Sequence, residues 1–201
     1  MKRLFLTSIK IDLLASLISS DPCRLKVVFI PTAADPYEDK WFVEADRKKL
    51  NELGFKFIEL DLKDKTKENL ELILQDANIL YVAGGNSFYL LQKMRESGLD
   101  KILPDLVDNG LLYSGSSAGA VVTGPTIEPV SLLDDPLKAP ELKSFDGLNL
   151  VNFLVLPHYG NKKYSEKHQN IIKNYSNKGF DLVPITDEQS IIAEGDNYKI
   201  V

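Results

Sequence analysis

The residues Gly115-Ser116-Ser117-Ala118-Gly119 follow the pattern G-x-S-x-G. A serine in that pattern can act as a nucleophile when the chain turns sharply from strand into helix and lifts the hydroxyl above a sheet. Both flanks suit such a turn. Residues 111–114 read as a short apolar strand and 118–122 as a helix. Small neighbours leave room for the turn, and the Ala118 amide can point at a developing oxyanion. The pattern places the nucleophile in the middle, so Ser117 is favoured over Ser116. A plain small-residue helix entry is the competing reading.

A serine hydroxyl needs a base, and histidine titrates near neutral pH. The chain has 2 histidines. His158 follows the strand pattern 153–156 and opens a loop, where a general base can stand. His168 lies within the helical pattern 164–176 beside Glu166, Lys167 and Gln169, and reads as a solvated surface residue. A third group, a carboxylate, must orient the imidazole and stabilise imidazolium. Asp134, Asp135, Glu141, Asp187 and Glu188 all remain open for that role. The turn Ala83-Gly84-Gly85-Asn86 lacks the spacing of a dinucleotide fingerprint or a P-loop. A backbone N–H near Gly85 suits a second oxyanion donor, with a simple glycine-rich turn as the bland alternative.

These residues need a scaffold, and the rest of the chain supplies its pattern. Strand signals occur at 3–6, 26–30, 56–59, 79–82, 111–114 and 153–156, with further short strands between 181 and 201. Helical spacing occupies 11–19, 35–53, 67–75 with Thr66 as N-cap, 87–97 closed by Gly98, 101–108 and 164–176. This alternation predicts an α/β three-layer sandwich with a mostly parallel central sheet. Ligands gather beyond the C-terminal ends of such strands. Gly84-Gly85, Ser117 and His158 all fall at strand ends. Residues 126–143 form the least regular stretch and are expected to be a loop beside the site.

Composition narrows the function classes. With 201 residues and 44% hydrophobic content, a single domain spanning 1–201 can bury a substantial core. The net charge of −5 argues against nucleic acid as a partner. One cysteine, Cys23, excludes an intrachain disulfide and suits a reducing compartment. No metal-ligand spacing surrounds it, so it reads as a structural or surface thiol. The basic start Lys2-Arg3 precedes an apolar run too short for a signal peptide, and no stretch is long enough to span a membrane. A cytoplasmic protein is therefore expected, as a monomer or homodimer.

Three segments together resemble the aspartyl dipeptidase and cyanophycinase family of serine peptidases. They are Tyr81-Val82-Ala83-Gly84-Gly85-Asn86-Ser87-Phe88-Tyr89-Leu90-Leu91, Tyr113-Ser114-Gly115-Ser116-Ser117-Ala118-Gly119-Ala120 and Leu156-Pro157-His158-Tyr159. Lys143-Ser144-Phe145 and Gly147-Leu148 add to the likeness. The resemblance implies a class I glutamine amidotransferase-like, or flavodoxin-like, fold. It implies Ser117 as nucleophile, His158 as general base, and Gly85 and Ala118 as backbone oxyanion donors. It implies a glutamate after the histidine as the triad acid, and Glu188 matches that place. Asp135, with Asp134, stands where the family's alternative acid has been proposed. In the family an arginine on the helix after the histidine holds an acidic substrate side chain. Here no arginine follows Arg95, and Lys167 is near the corresponding position. A lysine offers charge without a bidentate fork, so strict Asp-X selectivity is not implied.

The expected activity is therefore hydrolysis of short peptides through an acyl-enzyme, with neither metal nor organic cofactor. Two other readings share the same residues. One is an esterase or amidase on this scaffold; the other is a binding domain that has lost catalysis.

Overall fold

The computed structural model describes residues 2–201. Strand β1 (Arg3–Thr7) is followed by β2 (Val27–Ile30), helix α1 (Trp41–Glu52), β3 (Phe57–Glu59), α2 (Lys67–Leu74) and β4 (Ile79–Val82). Then come α3 (Ser87–Ser97), α4 (Leu99–Asp108), β5 (Leu112–Ser116) and α5 (Ala118–Val121). The last elements are β6 (Leu154–Leu156), α6 (Ser165–Tyr175), β7 (Leu182–Pro184), β8 (Ser190–Glu194) and β9 (Asn197–Ile200). Seven strands form one sheet in the order β3-β2-β4-β5-β1-β8-β9. The first five run parallel; β8 joins β1 and β9 joins β8 antiparallel. Strands β6 and β7 pair parallel in a separate ribbon.

The strands are buried on both faces, and their side chains divide by alternation. Leu4, Leu6, Val28, Ile30, Leu80 and Val82 enter the larger core, beneath α2, α3, α4 and α5. Phe5, Val27, Phe29, Ile79 and Tyr81 enter the opposite core, covered by Val43 and Leu50 of α1 with Ile11 and Leu14. Two apolar faces on one sheet require a helical layer on each side, which is the expected three-layer sandwich. Among the described residues no helix is long and apolar enough to cross a membrane.

Local chemistry sets the boundaries. Thr66 caps α2 in a reciprocal pair with Asn69. Gly98, at φ 79°, ends α3. Two helical expectations fail. Residues 11–19 form turns with one short 3-10 segment, Ala15–Leu17, while Ile11 and Leu14 still bury in the second core and Ala15, Leu17 and Ile18 pack against it. The helix expected over 35–53 begins only at Trp41. At that start the Asp39 carboxylate accepts the Trp41 N–H at 3.1 Å. The stretch 126–143 carries two 3-10 segments, Glu128–Leu132 and Pro136–Lys138.

Asp46 of α1 is a carboxyl group buried against the sheet, only 7% exposed. Burial pushes its pKa up to about 7. An unfolded aspartate titrates near ~3.9. Between those values the folded chain holds a proton that the unfolded chain has released, so stability falls as pH rises through that window. The contribution is fully present below about pH 4 and is lost above about pH 7. In denaturant titrations Asp46→Asn, whose side chain does not titrate, should gain stability relative to wild type as pH rises from 4 to 7.5. A difference constant across that range would contradict this assignment.

Candidate active site

Strand β5 ends at Ser116, and Ser117 then takes φ 47° and ψ −107°, a strained conformation for a residue with a side chain. Its amide donates to the Thr7 carbonyl at 2.8 Å, tying the turn to the end of β1. Helix α5 starts at the next residue. The reversal is possible because Gly119 presses on β4: a Cβ there would overlap the Val82 carbonyl. The Tyr113 hydroxyl locks the same point by donating to the Gly119 carbonyl at 2.6 Å. The Ser117 hydroxyl is thereby presented at the C-terminal edge of the parallel strands.

The turn after β4 lies against it. A Cβ on Gly84 would stand 3.2 Å from the Ser117 Cβ. Gly85, at φ 146°, passes so close to the Ala33 carbonyl that no side chain fits. Among the described residues neither the Gly85 nor the Ala118 N–H has a hydrogen-bond acceptor. Two unpaired amides beside a serine hydroxyl can receive an oxyanion.

His158 follows β6 and the Pro157 turn, at φ 61°. Its Nε2 lies 2.9 Å from Ser117 Oγ, and its Nδ1 lies 2.7 Å from Asp187 Oδ1. A carboxylate accepts only, so Nδ1 carries the proton and Nε2 is left to accept from the serine. The Asn161 amide donates to the second oxygen of Asp187 at 3.4 Å. His158 and Asp187 side chains are 20% and 30% exposed, enough for a substrate to reach the pair. The Tyr164 ring stands 5.7 Å from the imidazole.

Glu188, the glutamate implied by resemblance, does not occupy the place beside His158. Consecutive residues of the Thr186–Gln189 turn project to opposite sides. Asp187 turns inward, while Glu188 turns out to Lys10 at 2.7 Å and is 78% exposed. Asp135 is not there either: its carboxylate caps the Leu137 amide at 3.0 Å. Glu141 is exposed. Asp134 accepts from both the amide and hydroxyl of Ser87, at 2.9 and 2.7 Å, at the start of α3. Burial raises its pKa, opposed by those bonds and by the positive charge of Lys167. Lys167 is exposed on α6.

His168 also departs from expectation. It is buried, 2% exposed, and donates from Nε2 to the Pro157 carbonyl at 3.0 Å, bracing the turn before His158. Burial lowers its pKa and favours the neutral ring. Its polar sequence neighbours face water while His168 shares the inward face of the helix with Ile171 and Tyr175, a distinction that immediate neighbours alone do not reveal. Among the described residues no three His, Cys, Asp or Glu side chains converge as metal ligands would.

Comparison with known proteins shows the family. Residues 10–201 match the model of peptidase family S51. An uncharacterized peptidase of Listeria innocua, Lin0382, is 39% identical over 96% of this chain and 92% of its own length. An uncharacterized peptidase of Listeria monocytogenes, Lmo0363, is 39% identical over 97% of this chain and 96% of its own. The crystal structure of a candidate Peptidase E from Listeria monocytogenes EGD-e superposes with a TM-score of 0.92 at 36% identity, covering 100% of this chain and 98% of that one.

Proposed function

The chain belongs to peptidase family S51 and is a peptidase, and on that premise we propose that it hydrolyses short peptides through a Ser117–His158–Asp187 triad. The observation that carries this reading is the unbroken hydrogen-bonded chain from Ser117 Oγ through the imidazole to Asp187 Oδ1. Ser117 Oγ attacks the peptide carbonyl as its proton passes to His158 Nε2. Asp187 accepts from Nδ1–H, keeps that tautomer and stabilises the imidazolium. The Gly85 and Ala118 amides take the oxyanion. His158 then gives its proton to the leaving amine, and water, deprotonated by the same imidazole, releases the acyl group.

Selectivity within that class follows from Lys167. An exposed ammonium on a flexible stem supplies charge without the planar fork that fixes a carboxylate. Acidic N-terminal dipeptides should be favoured modestly. The test combines a fluorophosphonate, which should label Ser117, with kinetics on Asp-X, Glu-X and neutral dipeptides. Lys167→Met should reduce the Asp-to-neutral ratio of kcat/KM by about 3–10-fold, as expected for loss of one partly solvated ion pair of roughly 1 kcal/mol. An unchanged ratio would remove Lys167 from the substrate site. Failure of every peptide and of labelling would remove the proposed activity altogether.

A further inference from the structure

Ser117, His158 and Asp187 stand on three separate turns, and one buried residue touches all three. Ser8 directly follows β1 and is 1% exposed. Its hydroxyl accepts the backbone N–H of His158 at 3.0 Å and donates to the Ile185 carbonyl at 3.1 Å, two residues before Asp187. Its own carbonyl accepts from the Ser116 hydroxyl at 3.4 Å, next to the nucleophile. Strand β1 is the one element able to do this, since it pairs with β5 on one side and β8 on the other. Asp187 leads into β8, which is laddered to β1, but His158 follows β6 in a separate ribbon, so no strand ladder registers His158 against the Ser117 turn.

We infer that Ser8 is a positioning residue that sets the Ser117–His158 geometry by holding the His158 main chain and the Ile185–Asp187 turn on the end of β1. This inference rests on the proposed triad. His158 has a side chain yet occupies φ 61°, a conformation that persists only where surrounding contacts impose it. The Ser8 hydroxyl is the contact that engages its N–H. A hydroxyl can donate and accept at once, and both directions are used here. Alanine would leave the His158 amide without its Ser8 acceptor and the Ile185 carbonyl with only the Tyr159 N–H, at 3.0 Å, freeing the imidazole to shift relative to Ser117 Oγ. Displacements below one ångström suffice to slow a proton transfer that depends on near-attack geometry.

The test is Ser8→Ala, with Ser8→Cys as a second variant that keeps volume but replaces the hydroxyl with a weak thiol donor. Three readouts are compared: the rate of fluorophosphonate labelling at Ser117, kcat and KM on a cleaved dipeptide, and the low-field NMR resonance of the His158 Nδ1 proton. In whichever variant folds, labelling rate and kcat per folded molecule should fall on the order of 10–10²-fold. KM should stay within about twofold, because Ser8 touches no substrate. The Nδ1 resonance should move or broaden. Wild-type labelling rates retained in both variants, or losses that only track the unfolded fraction, would overturn the inference. If wild type itself fails to label, the proposed triad is what has failed, and the inference falls with it.

Discussion

Replacing Ser117 by alanine should leave a folded protein whose kcat/KM on its best dipeptide is lower by about 10⁴–10⁶-fold, the range seen when a serine nucleophile is removed from a triad. The fold should survive because the turn is held by main-chain contacts. The Ser117 amide bonds to the Thr7 carbonyl, Gly119 packs against Val82, and the Tyr113 hydroxyl grips the Gly119 carbonyl. The one hydrogen bond lost is that to His158 Nε2. Residual activity would reflect the Gly85 and Ala118 amides and substrate binding alone. Ser116→Ala is the matched control. Its hydroxyl turns away from His158 and reaches the Ser8 carbonyl at 3.4 Å, so far more activity should remain. Steady-state kinetics beside thermal melts would decide. An active Ser117→Ala enzyme, or a Ser116→Ala enzyme that fails at equal stability to label with fluorophosphonate, would move the nucleophile.

Asp187→Asn should cost about 10²–10⁴-fold in kcat, against almost nothing for Glu188→Gln. Asparagine keeps the size of the side chain but can present an N–H to the imidazole. The ring then settles with its proton on Nε2, facing Ser117, and can no longer accept from the serine. Most of the effect should lie in kcat, because Asp187 reaches the substrate only through His158. Glu188 bonds an exposed lysine at the surface, an arrangement of little energetic consequence. Its removal should change neither kinetics nor stability appreciably. Measuring both variants on one substrate separates the two acids. A large loss in Glu188→Gln with a near-normal Asp187→Asn enzyme would restore the glutamate.

The contrast between these adjacent acids marks where sequence reasoning stops. Asp187 and Glu188 are one residue apart, equally acidic, and both inside the turn that leads to β8. Which one faces the imidazole depends on the φ and ψ of that turn and on how β7 seats beside β6, and no local pattern encodes either. His168 was misplaced for a related reason: a helix among polar neighbours still has an inward face, and which residue occupies it depends on the elements packed against it. Ser8 carried no signal at all, since a lone serine after a strand is commonplace. It gains its role from lying between β5 and β8 in the finished sheet.

Other features were legible because they are local. The alternation of apolar strands with helical segments prescribed a parallel sheet covered on both faces, since each strand offers apolar side chains in both directions. The spacing Gly115-x-Ser117-x-Gly119 pointed to a sharp turn because only small residues permit that close approach. His158 stood out as a histidine at a strand end. By itself, then, the sequence determined the layered architecture, the serine turn and the histidine that faces it, since each follows from residue size, periodicity and chemistry within a few positions. The tertiary structure alone decided which acid faces that histidine and which buried residue bonds to both segments, because both depend on contacts between segments as far apart as Ser8 and Ile185, 177 residues along the chain.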